Sequence, residues 1–357
     1  MTKRLLLAGL VAGSGASYAM ARRRRGAGEP DLFRDRVALV MGGSRGLGFL
    51  LGRELVRRGS RVALAARDSF ELQGAQAELR AEGADVFIIP CDVTDRSRVE
   101  AVIREVERSV GPIDLLLNNS GTITVGPIET MTVEDYERSF AVMLWGMVYA
   151  TLAVLPGMME RRRGRIVNIS SIGGRLSVPH LNPYCASKFA ATGFSEGMRA
   201  ELRRHGIRVT TVLPGLMRTG GHVNAEFKGH QREEYRWFAL SASMPGISMD
   251  AEKAARRIVE AVRRGDADCV VGFPAKLAAF IHGLAPGTTA DAAGVVARRF
   301  LPDVTTGRER VKGRYLERKE GAWLWRALTS LGRESVSRFQ EFRASGASFV
   351  PRARLHS

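Results

Sequence analysis

Three side chains in the middle of the chain have the types and spacing of a proton-transfer site. Tyr184 precedes Lys188 by four residues, and Ser171 precedes Tyr184 by 13. On a helix, residues four apart share a face, so Tyr184 and Lys188 would project together. A free tyrosine has a pKa of about 10, and a neighbouring positive charge would lower it and make the phenol a usable acid or base at neutral pH. Ser171 would then hydrogen-bond a substrate oxygen and polarise it.

A glycine-rich segment, Gly42-Gly-Ser-Arg-Gly46-Leu-Gly48, follows the first apolar run and precedes a helical pattern. Glycine at 42, 46 and 48 permits a tight turn and a close approach of phosphate to the backbone, and the N-terminus of the following helix attracts a pyrophosphate. A glycine loop alone is a weak signal, but its position between a strand and a helix strengthens it. We therefore predict that this loop binds a dinucleotide through Gly42, Ser44, Arg45, Gly46, Leu47 and Gly48.

The end of the second apolar run, Leu64-Ala-Ala66-Arg67-Asp68, predicts which dinucleotide is preferred. An acid at this strand end usually holds a free ribose 2′-hydroxyl, whereas a 2′-phosphate calls for arginine. Ala66 occupies the place of the acid, and Arg67 and Arg45 would converge on a phosphate. We expect NADP(H) to be preferred over NAD(H). Two readings compete with this: Asp68 could accept a ribose hydroxyl, and the two arginines could be solvated surface residues.

Strands and helices alternate along most of the chain. Apolar runs at 36–42, 61–67, 85–91, 113–118, 165–170, 208–213 and 269–272 are separated by amphipathic stretches such as 53–58, 98–110 and 251–264. Buried strands that alternate with helices imply right-handed βαβ units. The pattern predicts an α/β, doubly wound Rossmann fold with a seven-stranded parallel sheet and helices on both faces. The three cysteines are scattered and the histidines have no metal-ligand spacing, so neither a disulfide framework nor a metal site is expected.

With these motifs in hand, residues 33–275 resemble the short-chain dehydrogenase/reductase family. The resemblance extends to Cys91-Asp92-Val93, to Asn118-Asn-Ser-Gly121, where the family usually shows Asn-Asn-Ala-Gly, and to Pro214-Gly-Leu-Met-Arg-Thr219. It implies that Tyr184 is the catalytic acid or base, that Lys188 binds the nicotinamide ribose and that Ser171 orients the substrate. It also implies further cofactor contacts at Asp92, Val93, Asn119, Pro214, Gly215 and Thr219. The implied reaction is hydride transfer between NADP(H) and an alcohol or carbonyl substrate, which we expect to be an apolar small molecule.

Two residues depart from the family pattern. Met41 stands where a threonine often precedes the first glycine, and Met143 stands where the family presents an asparagine in an Asn-Leu-x-Gly segment. That asparagine bends its helix and anchors a water of the proton relay, and a thioether cannot replace its hydrogen bonds. The alternative function is therefore a catalytically impaired NADP-binding scaffold protein. Intact Ser171, Tyr184 and Lys188 argue against this alternative.

The positive charge of the chain lies mainly at its two ends. The formal net charge is +17, and residues 1–25 carry six basic and no acidic side chains, while 302–357 carry twelve basic and six acidic ones. The central region is therefore not a broad basic surface, and no recognition motif accompanies the charge, so nucleic-acid binding is not expected.

The two ends also define the expected domain organisation. Residues 5–21 carry no charge and are followed by Arg22 to Arg25, which suits a membrane anchor with a basic stop, a cleaved signal peptide or a disordered tail. We expect an apolar segment at 1–28, a Rossmann domain at 33–275 and a basic, partly helical C-terminal extension at 276–357. The anchor reading predicts membrane association through residues 5–21 with the catalytic domain in the cytoplasm, and the alternative is a soluble cytoplasmic protein. We also expect a homo-oligomer, either a dimer or a tetramer.

Overall fold

A seven-stranded parallel sheet forms the centre of the molecule. The computed structural model describes residues 32–320 and 323–341. The strands follow the order β3-β2-β1-β4-β5-β6-β7, so the chain crosses over between β3 and β4 and the switch point lies between β1 and β4. Their bounds are β1 (Val37–Met41), β2 (Arg61–Ala66), β3 (Phe87–Pro90), β4 (Ile113–Asn118), β5 (Gly164–Ile169), β6 (Ile207–Pro214) and β7 (Asp268–Val271). The predicted doubly wound fold is confirmed, and every predicted strand is present with ends shifted by no more than two residues.

The continuous apolar character of the strands has a direct structural cause. All five residues of β1 and all six of β4 are buried, because helices cover both faces of the sheet. One apolar cluster lies on the side of α1 and α7, and another lies on the side of α3 and α4. These helices and the others have the following bounds: α1 (Gly46–Arg57), α2 (Ser69–Ala81), α3 (Arg96–Ser109), α4 (Val133–Glu160), α5 (Asn182–Leu202), α6 (Gln231–Ser243), α7 (Ala251–Arg264), α8 (Phe273–Leu284), α9 (Pro286–Phe300), α10 (Gly313–Glu317), α11 (Trp323–Leu328) and α12 (Ser330–Arg338).

Helix α4 is interrupted by one wide π-type turn at Ala141–Trp145. Among the described residues it is also the one helix long and apolar enough to cross a membrane by length and composition. Its buried side chains, including Met147, Val154 and Met158, belong to the sheet core and its immediate surroundings. The apolar character of α4 is therefore explained by core packing.

The C-terminal part leaves the central sheet and then joins a separate, small three-stranded sheet. Helices α8 and α9 form a hairpin in which Ala275 is the buried side chain, and many of its apolar side chains face outward. The chain returns through the short strand Val311–Lys312, which pairs antiparallel with Glu226–Phe227. Helices α10 to α12 follow. The expectations for residues 1–28, including the anchor at 5–21, lie outside the described residues, and the division into three regions stays a prediction.

Candidate functional site

The predicted site residues lie at one edge of the sheet, where the strands end. The glycine loop follows β1, Asn119 follows β4, Ser171 follows β5 by two residues, and Gly215 follows β6 directly. The carboxyl ends of parallel strands meet at this edge, and the β1/β4 switch point opens a crevice there. The topology thus brings together segments that are far apart in the sequence.

Ser171, Tyr184 and Lys188 lie close together, and Ser171 and Tyr184 are hydrogen-bonded to each other. The Ser171 side chain is buried and hydrogen-bonds Tyr184, and its Oγ accepts a hydrogen bond from the Gly173 amide at 3.0 Å. The Lys188 Nζ donates to the Ile169 carbonyl oxygen at 2.8 Å and lies 5.8 Å from the centroid of the Tyr184 ring. Both Tyr184 and Lys188 belong to α5 at the predicted spacing of one helical turn. This geometry gives a substrate oxygen two hydroxyl partners beside a buried amine.

Burial is the main influence on the pKa values of Tyr184 and Lys188 when no cofactor charge is nearby. It raises the pKa of Tyr184 to about 12, although the hydrogen bond from Ser171 opposes that shift. Burial also lowers the pKa of Lys188 to about 8. The expected lowering of the Tyr184 pKa by the ammonium is therefore not produced by the protein groups alone, because desolvation is the largest effect. The positive charge of an oxidised nicotinamide would act in the lowering direction.

A buried polar network that sequence reasoning missed lies beneath this group. The Asn118 amide donates to Thr151 Oγ1 at 3.1 Å and to Asn168 Oδ1 at 2.9 Å. Asn168 in turn donates to Ser195 Oγ at 3.0 Å, which lies 2.7 Å from Thr211 Oγ1. Asn118 and Asn168 are register partners on β4 and β5, so two asparagines at matching strand ends were the available signal. The network ties β4, β5 and β6 to α4 and α5 at the floor of the site.

The two departures from the family pattern border the same small cavity. Met41 and Met143 are both buried, and they line a cavity of about 10 Å³ together with Asn118 and Ser120. That volume is close to one water-sized sphere. The Met143 Sδ accepts a weak hydrogen bond from Ser187 Oγ at 3.9 Å. Since the π-type turn is present at Met143, the bend of α4 does not depend on an asparagine.

The glycine loop has the backbone geometry that the sequence predicts. Gly42 and Gly46 have φ values of 78° and 54°, which favour glycine. A Cβ on Gly48 would lie 2.0 Å from the Gly42 carbonyl oxygen, so α1 can approach the loop only with glycine there. Asn119 Nδ2 donates to that same carbonyl at 2.9 Å and closes the loop against β4. These features fit a pyrophosphate cradle at the N-terminus of α1.

The residues predicted to select the cofactor have different surroundings. Arg45 Nη1 pairs with Glu71 Oε1 at 3.2 Å, and Ser44 Oγ donates to Glu71 Oε2 at 2.9 Å. Arg67 is exposed at the end of β2. Asp68 caps α2, where its Oδ1 accepts hydrogen bonds from the amides of residues 70 and 71. The capping role accounts for Asp68 without a ribose contact.

The remaining predicted cofactor positions line the same edge. Asp92 Oδ1 accepts hydrogen bonds from the amide and hydroxyl of Thr94, and Val93 lines the small cavity. Pro214 ends β6, and the Gly215 amide donates to the Val271 carbonyl at 2.9 Å. Thr219 lies across from the glycine loop, since a Cβ on Gly46 would be 3.9 Å from its Cβ. Sequence reasoning missed Glu341, which lies between these two loops.

Aromatic side chains in the segment before α7 are packed in the interior. Phe227 and Tyr235 are fully buried and Phe238 nearly so, in an apolar cluster with Leu181 and Cys185. These rings therefore cover the core. His180 Nδ1 lies 2.7 Å from Glu234 Oε1, so it is held by α6.

Comparison with known proteins gives this architecture a family. A family model described as short chain dehydrogenase matches residues 36–228. A "Dehydrogenase/reductase SDR family protein 7-like" from Anopheles gambiae is 34% identical over 257 residues, which are 70% of this chain and 80% of that protein.

Two solved structures are also similar. A short-chain dehydrogenase from Streptomyces avermitilis is 31% identical with a TM-score of 0.64, over 74% of this chain and 98% of that one. An actinorhodin polyketide ketoreductase with NADPH is 30% identical with a TM-score of 0.60, over 67% of this chain and 96% of that one. Because the family model spans more than half of the sequence, the chain belongs to the short-chain dehydrogenase family of oxidoreductases.

Proposed function

We propose that this protein transfers a hydride between NADP(H) and an alcohol or carbonyl substrate, with residues 33–275 as the catalytic domain. The observation that carries the proposal is the grouping of Ser171, Tyr184 and Lys188 beside a glycine loop at the switch point of the sheet, with Ser171 hydrogen-bonded to Tyr184. The family supplies the reaction class, and the group supplies the means of moving a proton to or from a substrate oxygen.

The roles of the side chains follow from their positions. When bound, the nicotinamide cofactor supplies the hydride. In the reductive direction the Tyr184 hydroxyl donates a proton to the carbonyl oxygen, and the Ser171 hydroxyl donates a hydrogen bond that holds that oxygen. Lys188 would hold the nicotinamide ribose and stabilise a tyrosinate by its charge. Gly42, Gly46 and Gly48 would admit the pyrophosphate to the backbone, with Asn119 keeping the loop closed.

NADP(H) is the cofactor that the surrounding charges favour. Arg67 is exposed at the strand end, Arg45 lies in the glycine loop, and Asp68 is occupied as the cap of α2. Glu71 partly offsets the charge of Arg45 at 3.2 Å. The similar polyketide ketoreductase was solved with NADPH, which supports the same choice.

An apolar substrate suits the surroundings of Tyr184. Tyr184 packs against an apolar cluster that contains Leu181, as do Ile123 and Val178, so this cluster provides a hydrocarbon wall near the site. A carbonyl attached to an apolar body would place its oxygen at Tyr184 and Ser171 and its body against this wall.

The test is the replacement of Tyr184 by phenylalanine. Tyr184→Phe should lower the turnover of an apolar ketone by about 10²–10⁴-fold, because it removes the titrating hydroxyl, while NADP(H) binding measured by calorimetry stays nearly unchanged. Tyr315→Phe is the matched control. Tyr315 is 55% exposed, and the proposed mechanism gives its hydroxyl no part. A Tyr184→Phe enzyme that kept more than about a tenth of the parent rate would contradict the acid–base role.

The alternative of an impaired scaffold has its own outcome in that test. It predicts that the parent protein binds NADP(H) but turns over no ketone, aldehyde or alcohol in a broad panel. Met143 is the observation behind it, and the small cavity that Met143 shares with Met41 is where a changed proton relay would act.

We also propose membrane association through residues 5–21, with the catalytic domain in the cytoplasm. A supply of NADP(H) favours that side, and Arg22 to Arg25 would lie among anionic headgroups. The hairpin of α8 and α9 adds support, since Phe280 and Phe300 are exposed close in sequence to basic residues such as Lys276 and Arg299. Exposed apolar side chains with basic neighbours suit a lipid surface.

A homo-oligomer, either a dimer or a tetramer, is the assembly we propose. Helices α4 and α5 expose large apolar side chains, among them Trp145, Leu152 and Phe189. Burial of these side chains against a second copy would remove apolar surface from water.

A further inference from the structure

The C-terminal segment 339–341 lies in the space between the glycine loop and the loop after β6. The Gly46 amide donates a hydrogen bond to the Phe339 carbonyl oxygen at 2.9 Å. A Cβ on Gly46 would lie only 2.5 Å from Glu341 Oε1, and one on Gly221 would lie 3.7 Å from the same atom. Glu341 therefore lies directly against the backbone that a pyrophosphate would approach.

The carboxylate of Glu341 has the partners of a bound anion. Arg45 Nε lies 3.6 Å from Glu341 Oε2, and Asn224 Nδ2 donates to that oxygen at 2.6 Å and to the Glu341 carbonyl at 2.8 Å. The side chain of Glu341 is buried, with 6% of its surface exposed. A negative group beside a glycine-loop arginine at a helix N-terminus occupies the kind of site that binds phosphate.

The rest of the C-terminal segment holds the carboxylate in place. Phe339 is buried within the apolar cluster on the α1 side of the sheet. Gln340 Nε2 donates to Glu78 Oε2 at 2.8 Å, and the Glu341 amide donates to the Val336 carbonyl at 3.0 Å. Helix α12 itself packs on the loop after β6, where a Cβ on Gly220 would lie 2.6 Å from the Val336 Cα. The segment is thus built into the crevice by several independent contacts.

We propose that segment 339–341 and the nicotinamide cofactor bind at the same place, so that the segment must leave the glycine loop before the cofactor can bind. The segment is then an internal competitor that lowers the apparent affinity for the cofactor. This inference rests on the proposed function, because it requires that the glycine loop bind NADP(H). Burial raises the pKa of the Glu341 carboxyl group, and departure of the segment would return that group to water.

Calorimetric titration of the full chain with NADP(H) tests the competition. Glu341→Gln removes the charge, weakens the hold of Arg45 and Asn224 and should lower the Kd by about tenfold, because the apparent Kd scales inversely with the fraction of open molecules. Glu334→Gln is the matched control, since Glu334 lies exposed on α12 and loses the same charge. Its Kd should equal that of the parent. Equal Kd values for the parent and Glu341→Gln would overturn the inference.

Hydrogen exchange in the parent protein gives a reading that needs no variant. Saturation with NADP(H) should speed amide exchange at 336–341 and slow it at 42–48. Slower exchange in both segments would overturn the inference, because the C-terminal segment would then close over the cofactor instead of leaving. If neither the parent nor Glu341→Gln binds NADP(H), the proposed function fails and the inference fails with it. If the parent binds but neither expected change occurs, the inference alone fails.

Discussion

Replacement of Lys188 by methionine should remove a pH-dependent destabilisation of the folded protein. The Lys188 side chain is 4% exposed, and burial lowers its pKa from an ordinary 10.5 to about 8. Each pKa unit corresponds to about 1.4 kcal/mol, so the charged amine costs the folded state about 3 kcal/mol at pH 7. Methionine has a similar length and no charge. The substitution also destabilises the folded protein, because the Ile169 carbonyl loses the hydrogen bond that Lys188 Nζ donates at 2.8 Å. The loss of that bond costs about 1–3 kcal/mol.

The sign of the effect follows from proton binding. Between pH 8 and 10.5 the unfolded chain holds a proton on Lys188 that the folded protein does not hold, so the free energy of unfolding of the parent rises with pH in this window. The cost of the charge falls from about 3 kcal/mol at pH 7 to about 1 kcal/mol at pH 9.5. The lost hydrogen bond does not titrate. The stability of Lys188→Met relative to the parent should therefore drop by about 2 kcal/mol over that range.

Urea unfolding of both proteins at pH 7 and pH 9.5 measures this change. The comparison requires that the unfolding free energy of both proteins depend on urea concentration with the same slope. Lys253→Met is the matched control, because Lys253 is exposed on α7 and its backbone amide, rather than its side chain, makes the capping contact with Asp250. The control should differ from the parent by a similar amount at both pH values. A Lys188→Met difference that does not change with pH would refute the argument that Lys188 is a desolvated amine.

Two further predictions concern the cofactor and the membrane. Arg67→Ala should weaken NADP(H) binding by about ten- to a hundredfold and leave NAD(H) binding nearly unchanged, because only NADP(H) has a 2′-phosphate. Parallel calorimetric titrations measure both affinities. Equal losses of affinity for the two cofactors would contradict the assignment. Fractionation of the full chain should place it with membranes, whereas a chain that begins at Glu29 should be released; equal solubility of the two at physiological and high salt would contradict the anchor, and cleavage after Ala21 would favour a signal peptide.

Local signals explain why much of the fold could be predicted from the sequence. Helix α7 has the predicted bounds Ala251–Arg264, because the Asp250 side chain caps its first turn and Gly265 ends it with a φ of 70°. The strand β4 also has its predicted bounds, since an unbroken apolar run needs both faces covered. In such elements the structure is determined by residues that are close together in the sequence. The spacing of Tyr184 and Lys188 belongs to the same class of signal, because one helical turn brings them together.

The features that the sequence did not reveal depend on contacts between distant segments. Glu341 reaches Gly46 across almost the whole chain, and nothing near residue 341 marks it as an anion at a glycine loop. Within the C-terminal extension, which was expected only to be partly helical, Thr329 separates α11 from α12. The pKa of Tyr184 in the absence of the cofactor also depends on distant contacts. The spacing shows which charge is near, but the desolvation that outweighs it depends on the packing around the ring.

Arg45 takes part both in the proposed preference for NADP(H) and in the proposed competition between segment 339–341 and the cofactor. In the structure its guanidinium faces two carboxylates, Glu71 at 3.2 Å and Glu341 at 3.6 Å, and these would compete with a 2′-phosphate for the same donors. Glu71 belongs to α2 and stays in place, whereas Glu341 belongs to the segment that we expect to leave. Departure of the segment would therefore remove one of the two anions beside Arg45, as well as clearing the space at Gly46. The gain in affinity of Glu341→Gln should then be larger for NADP(H) than for NAD(H), because only the former brings a phosphate to the arginine that has been released.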